Sequence, residues 1–353
     1  MNDNEPEVEQ TDAQVALTGY GRYLPDEKAT GAEIAEKSGI PEKVVVEKMG
    51  LREKHVCPPE EDHISDMCVA AGQAALADAG IDPVDLDLVL YHGSEYKDFV
   101  VWSVAAHVAD RIGAANAYAT ESHTLCAGAP VAVRRTRAML LADSVERALL
   151  VTASREEGLL EYTNEDASFM FNFGSGASAM VLERVENPDR ERTRAIVRES
   201  AALTDGSFSH DVVMPAGGSL NPPTAETVEA GLHTLDVPDH ESMKERLAEV
   251  SLSNFLSVAD EALARSGYDR SDLDFVALTH MKRSFHEHLL SELGVGEEGG
   301  YYLDEYGHVQ SADQILALHE GLERGRLKSG DLVLFLAAGT GYTWAASVLE
   351  WRG

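Results

Sequence analysis

The chain repeats itself, and this constrains the fold more than any other feature. Residues 75–91 read ALADAGIDPVDLDLVLY and residues 262–278 read ALARSGYDRSDLDFVAL; at an offset of 187, 9 of 17 positions are identical. Each copy has the same punctuation: a helical stretch stopped at Gly80 or Gly267, a polar turn, then an apolar strand over 86–91 or 273–278. Two further echoes follow in the same order. RALLVTAS (147–154) pairs with DLVLFLAA (331–338), and GSGASAMVLE (174–183) pairs with GTGYTWAASVLE (339–350). Any two βα units share Gly-stopped helices and Asp-filled turns, but three echoes in one order argue for a duplicated α/β unit. The expected division is an acidic, disordered tail over 1–14, a first half over 15–185 and a second over 186–353. The Gly/Pro/His/Asp-rich stretch 205–245 is expected as a long excursion near the mouth of a site.

Charge narrows the range of partners. The 353 residues include 61 Asp and Glu against 29 Lys and Arg, only 9 of them Lys, for a net charge of −32. Such a surface repels nucleic acid and anionic membrane. Either a host with a salt-rich cytoplasm, where the charge is screened, or a generally acidic bacterial protein accounts for it. No apolar run approaches the roughly 18–20 residues that span a bilayer, and the acidic first residues are unlike a signal peptide. A cytoplasmic protein is expected.

The three cysteines, Cys57, Cys68 and Cys126, form no CxxC pair, which disfavours disulfides and cysteine-based zinc sites. Cys126 stands out. A β-prone stretch leads to it, small residues follow (Ala127, Gly128, Ala129), and Ala127, Val131, Ala138 and Ala142 recur at helical spacing as the expected buried face of a helix. Pro130 suits a first helical turn. A thiol at a helix N-terminus is electrostatically favoured as thiolate, the attacking form. Taken alone, the segment fits a buried structural cysteine equally well. His280 closes an apolar strand, where sites form in duplicated α/β folds. His280, His286 and His288 do not make a metal set, because 286 and 288 diverge around a helix expected to be partly exposed.

Seven segments in order resemble the β-ketoacyl-ACP synthase III group of the thiolase superfamily, from about Leu17 to Trp351. GYGRYLPDE and MGLREKH are similar to that family's opening strand and basic loop. LCAGAP resembles its nucleophile turn and FGSGASAMVLE its Gly-rich strand. LTHMKRSFHEHLLSELG resembles the segment with its catalytic His, YGHVQSAD its Gly-Asn segment, and AAGTGYTWAASVLEW its last strand. The resemblance implies a thiolase-like α/β fold of two duplicated βα halves, layered α-β-α-β-α. It implies Cys126 as nucleophile and His280 as catalytic His. His308 stands where the family usually has Asn, and a Cys-His-His set resembles the elongating synthases, in which two His hold the malonyl carbonyl.

The reaction so implied needs no cofactor. An acyl-CoA acylates Cys126, the oxyanion resting on the backbone N–H groups of Cys126 and of the Thr340-Gly341 turn. A malonyl thioester, on CoA or on a carrier protein, then loses CO₂, and His280 and His308 donate to the enolate oxygen. Lys48 and Arg52 of the basic loop, with Lys282 and Arg283, are the expected phosphate contacts; Val44 stands about where an adenine-stacking aromatic is usual. A homodimer is implied. Three rivals remain: condensation like that of 3-hydroxy-3-methylglutaryl-CoA synthase with Glu95 as base, acyl transfer to an amine or hydroxyl, and an inactive partner subunit.

Overall fold

The computed structural model describes residues 13–142, 145–186 and 192–353. The expected tail lies outside the described residues except for its last two positions. Gln14 is already paired with Val185, so the first strand starts one residue before the expected boundary.

The elements run β1 (Gln14–Tyr23), β2 (Lys28–Thr30), α1 (Gly31–Ser38), β3 (Glu53–His55), α2 (Ile64–Ala79), β4 (Leu88–Tyr91), α3 (Val104–Ile112), β5 (Tyr118–Glu121), α4 (Gly128–Ala142), β6 (Arg147–Ser154) and β7 (Gly176–Val185). Then come β8 (Ala195–Thr204), α5 (Ala225–Glu229), α6 (His240–Ser266), β9 (Phe275–Leu278), α7 (Arg283–Leu293), α8 (Asp313–Glu323), β10 (Leu332–Gly339) and β11 (Thr343–Trp351). The duplication is visible residue by residue. α2 and α6 end on Gly80 and Gly267, both left-handed, with φ of 65° and 83°. Asp82 and Asp269 then cap equivalent short turns by accepting from the N–H of Val84 and Ser271, and β4 and β9 follow. Asp87 and Asp274 next receive backbone N–H groups from the starts of β6 and β10.

The described strands β1 and β4–β11 form one nine-stranded sheet, in the order β5-β4-β6-β7-β1-β8-β11-β10-β9. Apart from the edge strand β5, the order is symmetric about the β1–β8 pairing, where the halves meet antiparallel. Burial on both faces explains the continuous apolar runs of β6 and β10. Side chains of α4 and α8 share one core with the inner faces of both halves. α2 and α3 cover the outer face of the first half, and α6 and α7 that of the second. This is the α-β-α-β-α layering.

One sequence expectation fails locally. The buried stripe of α4 is Ala129, Ala132, Val133, Thr136 and Leu140, while Ala138 and Ala142 face solvent and Val131 is half-buried. Alanine tolerates either face, so it marked the wrong one; the 3.6-residue period runs through Val133, Thr136 and Leu140 instead.

α2 lies directly on β1. A Cβ on Gly21 would stand 2.3 Å from the Ala71 carbonyl oxygen and 2.5 Å from the Ala75 nitrogen. Neither atom can retreat without moving the helix. Gly21→Val is expected to cost about 1–3 kcal/mol, seen as a lower urea midpoint at unchanged slope.

Candidate active site

Cys126 lies in the 3-10 turn Leu125–Ala127, which passes from the loop after β5 into α4. Leu125 enters that turn with φ of 49°, a conformation that L-residues disfavour. The duplicated position repeats it: Gln310, φ 50°, opens the turn 310–312 that leads into α8. Ser311 of this second turn is the counterpart of Cys126, and it is fully buried, bonding to the Thr152 hydroxyl and the His92 carbonyl. The nucleophile turn seats against the end of β10. A Cβ on Gly339 would come within 2.4 Å of the Thr124 oxygen and 3.1 Å of the Cys126 nitrogen, so only glycine lets the halves close here.

The second half delivers two imidazoles. His308 Nε2 is 3.0 Å from Cys126 Sγ, and its Nδ1 is 2.6 Å from Asp313 Oδ2. Asp313 is fully buried at the first position of α8. It also accepts the backbone N–H of His280 (2.7 Å) and of Val309 (2.8 Å). The Phe173 ring packs edge-on against His308 at 5.1 Å, and the His308 N–H donates to the Asn172 carbonyl. Burial disfavours a charged His308 ring, but the Asp313 and Cys126 charges and their hydrogen bonds outweigh it and hold the ring well above the usual histidine value. His280 follows β9, lines the same cavity as Cys126 and His308, and has no partner on either ring nitrogen. Burial, with His308, His286 and Arg283 nearby, pushes it well below the usual value, so it is a neutral ring with one free donor.

The shared cavity measures about 530 Å³. Its walls are largely apolar, with Val44, Met49, Phe173, Phe255, Met281 and Tyr342 among them, and Thr340 lines it as Cys126 does; Gly341 is not on the wall. The expected phosphate contacts divide. Lys48 and Lys282 line this cavity. Arg52 and Arg283 instead face a separate polar cleft of about 370 Å³. Asp304 holds both guanidiniums, at 3.1 and 2.6 Å, and Glu305 adds a second contact to Arg52. Tyr302 is the partition, against His280 at 4.7 Å on one side and under Arg283 at 4.1 Å on the other. Arg52 and Arg283 are thus engaged by acidic residues at 304–305 on the far side of Tyr302 from Cys126.

The expectation for Glu95 is corrected. Its side chain is 74% exposed, paired with His123, and is not on the cavity wall. α7 is partly exposed and its two His diverge, as expected: His286 is buried against Tyr302, whereas His288 is on the surface. The 205–245 excursion contributes nothing to the cavity wall but supports it from behind: Phe208 packs on Tyr342, and Val237 and Met243 join the cluster with Met170 and Phe173.

Sequence reasoning missed two residues. Asp313 follows His308 by five positions across a turn, and a His and an Asp so spaced beside a helix start were the available signal. Lys54 left none. It is fully buried, and its ammonium donates to the carbonyls of Phe171 (2.9 Å) and Phe173 (2.6 Å), which flank the Asn172 carbonyl that holds His308. Lys54 thereby fixes the segment against which the His308 ring rests.

With this geometry described, likeness to known proteins can be stated. Residues 121–200 match the family described as 3-oxoacyl-[acyl-carrier-protein (ACP)] synthase III, and residues 263–351 match its C-terminal region. The β-ketoacyl-[acyl-carrier-protein] synthase III of Desulfitobacterium hafniense strain Y51 is 29% identical over 339 residues, 96% of this chain and 98% of that one. The synthase III structure from Pseudomonas aeruginosa PAO1 superposes with a TM-score of 0.81 at 22% identity, covering 96% of this chain and 98% of that one. The one from Aquifex aeolicus VF5 gives 0.80 at 21%, covering 96% and 100%. The chain thus has the fold of these synthase III structures, thiolase-like, and is similar in sequence to the β-ketoacyl-ACP synthase III enzymes across both matched regions.

Burial pushes Lys54 down from 10.5 to about 7. The folded state therefore binds fewer protons than the unfolded state between those values, and the folded state gains stability as pH rises through that window. An uncharged amine keeps two N–H donors, enough for both carbonyls. Lys54→Met removes this titration, so the stability of wild type relative to K54M is expected to rise from about pH 7 to about pH 9 in urea titrations. A difference that stays flat contradicts the assignment.

Proposed function

We propose that the protein is a condensing enzyme that joins an acyl group from acyl-CoA to a malonyl thioester, on CoA or on a carrier protein, giving a 3-oxoacyl product. The observation that carries this reading is the meeting of Cys126, His280 and His308 in one apolar-walled cavity. The chain divides near residue 186 into a nucleophile half and an imidazole half. The Cys126 sulfur attacks the acyl thioester, and the oxyanion rests on the backbone N–H of Cys126 and of the Thr340-Gly341 turn. CoA departs; Lys48 and Lys282, which line the same cavity, are assigned to its phosphates in this reading.

The malonyl thioester then enters. Its carboxylate leaves as neutral CO₂, which the apolar wall favours, and the charge moves to the enolate oxygen. The free N–H of His280 stabilises that charge as it develops. The enolate carbon attacks the acyl-Cys carbonyl and the sulfur leaves. The substrates are thioesters and the chemistry runs on the chain's own groups. A homodimer and a cytoplasmic location belong to the same reading. An exposed Glu95 held by His123 removes support for a carboxylate-base mechanism.

Intact-protein mass after incubation with a series of acyl-CoAs is expected to rise by one acyl group in wild type and by none in Cys126→Ala. Malonyl thioester labelled in its free carboxyl is then expected to release labelled CO₂. His280→Ala keeps the acyl-enzyme and loses about 10²–10³ in CO₂ release. Acylation that survives in Cys126→Ala, or an acyl-enzyme that releases no CO₂ with either malonyl-CoA or malonyl-carrier protein, contradicts the reading.

A further inference from the structure

We infer that His308 is the proton carrier of the acyl-loading step and not a donor to the enolate, and that Asp313 is the positioning residue that fixes it in this role. The inference rests on the condensing-enzyme reading above and assigns a division of labour within that site.

A carboxylate accepts and does not donate, so the Nδ1 of His308, 2.6 Å from Asp313 Oδ2, carries a hydrogen. Asp313 also receives the N–H groups of His280 and Val309, so every hydrogen bond to it comes from a donor. Nε2 therefore shares one proton with Cys126 Sγ, 3.0 Å away. At rest that proton lies on the ring, as a thiolate–imidazolium pair, because the Asp313 charge behind the ring favours the cation. The direction of the His308 shift agrees. The groups facing the pair are His280 at the end of β9, Asp313 on α8 and Tyr342 in the β10–β11 turn; Arg283 and His286 bear on His280 from behind. Phe173 supplies an apolar wall.

The proton balance then fixes the roles. In loading, the Cys126 sulfur forms a bond to the acyl carbon and the carbon–sulfur bond to CoA breaks. The departing CoA thiolate takes the Nε2 proton and leaves as CoA thiol. His308 is now neutral, with hydrogen on Nδ1 and a lone pair on Nε2. A lone pair cannot donate to an enolate oxygen. An Asn side chain at this position always offers an N–H, so His308 does not act as its stand-in; enolate stabilisation falls to His280. In condensation the malonyl carbon–carbon bond breaks to CO₂ and enolate, the new carbon–carbon bond forms, and Cys126 leaves as thiolate. One proton from water returns to Nε2. The sum is acyl-CoA plus malonyl thioester plus one proton, giving CoA thiol, CO₂ and the 3-oxoacyl thioester.

The two half-reactions are measured separately in wild type, His308→Asn and Asp313→Asn. Loading is read by quench and intact mass with acyl-CoA. Condensation is read as labelled CO₂ release from enzyme pre-acylated by long incubation. His308→Asn is expected to load about 100-fold more slowly. Its pre-acylated form is expected to release CO₂ within about threefold of wild type. Asp313→Asn, whose amide can donate to Nδ1 and so reverse the tautomer, is expected to slow loading in the same direction. The pH dependence of iodoacetamide alkylation at Cys126 gives a readout that a merely structural role would not move. The rate is expected to be level from about pH 6 to 8 in wild type and to climb with pH in both variants. Cys57 does not compete, because burial pushes its thiol up to about 12, and Cys68 is fully buried. Loading at the wild-type rate in His308→Asn, with CO₂ release lost, overturns the inference. Absence of CO₂ release from wild type counts against the condensing reading instead, and the loading and alkylation arms still decide the part of His308.

Discussion

The carboxylate of Asp313 is the point on which the site depends. It is fully buried, and removing such a charge from water costs several kcal/mol before any compensation. Three donors offset that cost: the backbone of His280 as it leaves β9, the backbone of Val309, and the His308 ring. One buried anion thus fixes where a strand ends, how a loop turns, and which way an imidazole faces the nucleophile. Without it, His308 has neither a fixed tautomer nor a reason to be charged beside a sulfur.

The duplication explains how such a site arises between two halves. Both copies make the same strained turn before a buried helix, at Leu125 and at Gln310. In the first copy the turn presents Cys126 to a cavity. In the second it buries Ser311 as a hydrogen-bonded prop and places Asp313 at the head of α8. The glycine contact at Gly339 lets the two meet closely enough for a ring from one half to touch a sulfur of the other. Lys54 adds a second buried polar group, whose amine N–H donors hold the backbone on the far side of the same ring.

Much of this was legible in the amino-acid order. The repeat at 75–91 and 262–278 predicts α2–β4 and α6–β9 with their glycine stops, because αL caps and Asp turns are local chemistry. The resemblance to condensing enzymes points to Cys126, His280 and His308, and the structure brings all three to one cavity. What failed was long-range. Nothing local says that Asp304 lies 21 residues from Arg283 in sequence yet 2.6 Å away in space. Asp313 is not among the expected site residues: its spacing from His308 is visible in the sequence, but its burial comes only from tertiary packing. The buried face of α4 differs from the expected one because alanine is at home on either side, and the face actually buried includes Thr136.

The protonation of His308 is the direct test of this account. Selective ¹⁵N labelling of histidine, with NMR detection of the ring nitrogens at neutral pH, distinguishes the forms. The resting enzyme is predicted to show His308 protonated on both nitrogens, and the acyl-enzyme to show it neutral with hydrogen on Nδ1 alone. A resting His308 that is neutral, or an acylated one that carries its only proton on Nε2, would contradict the account.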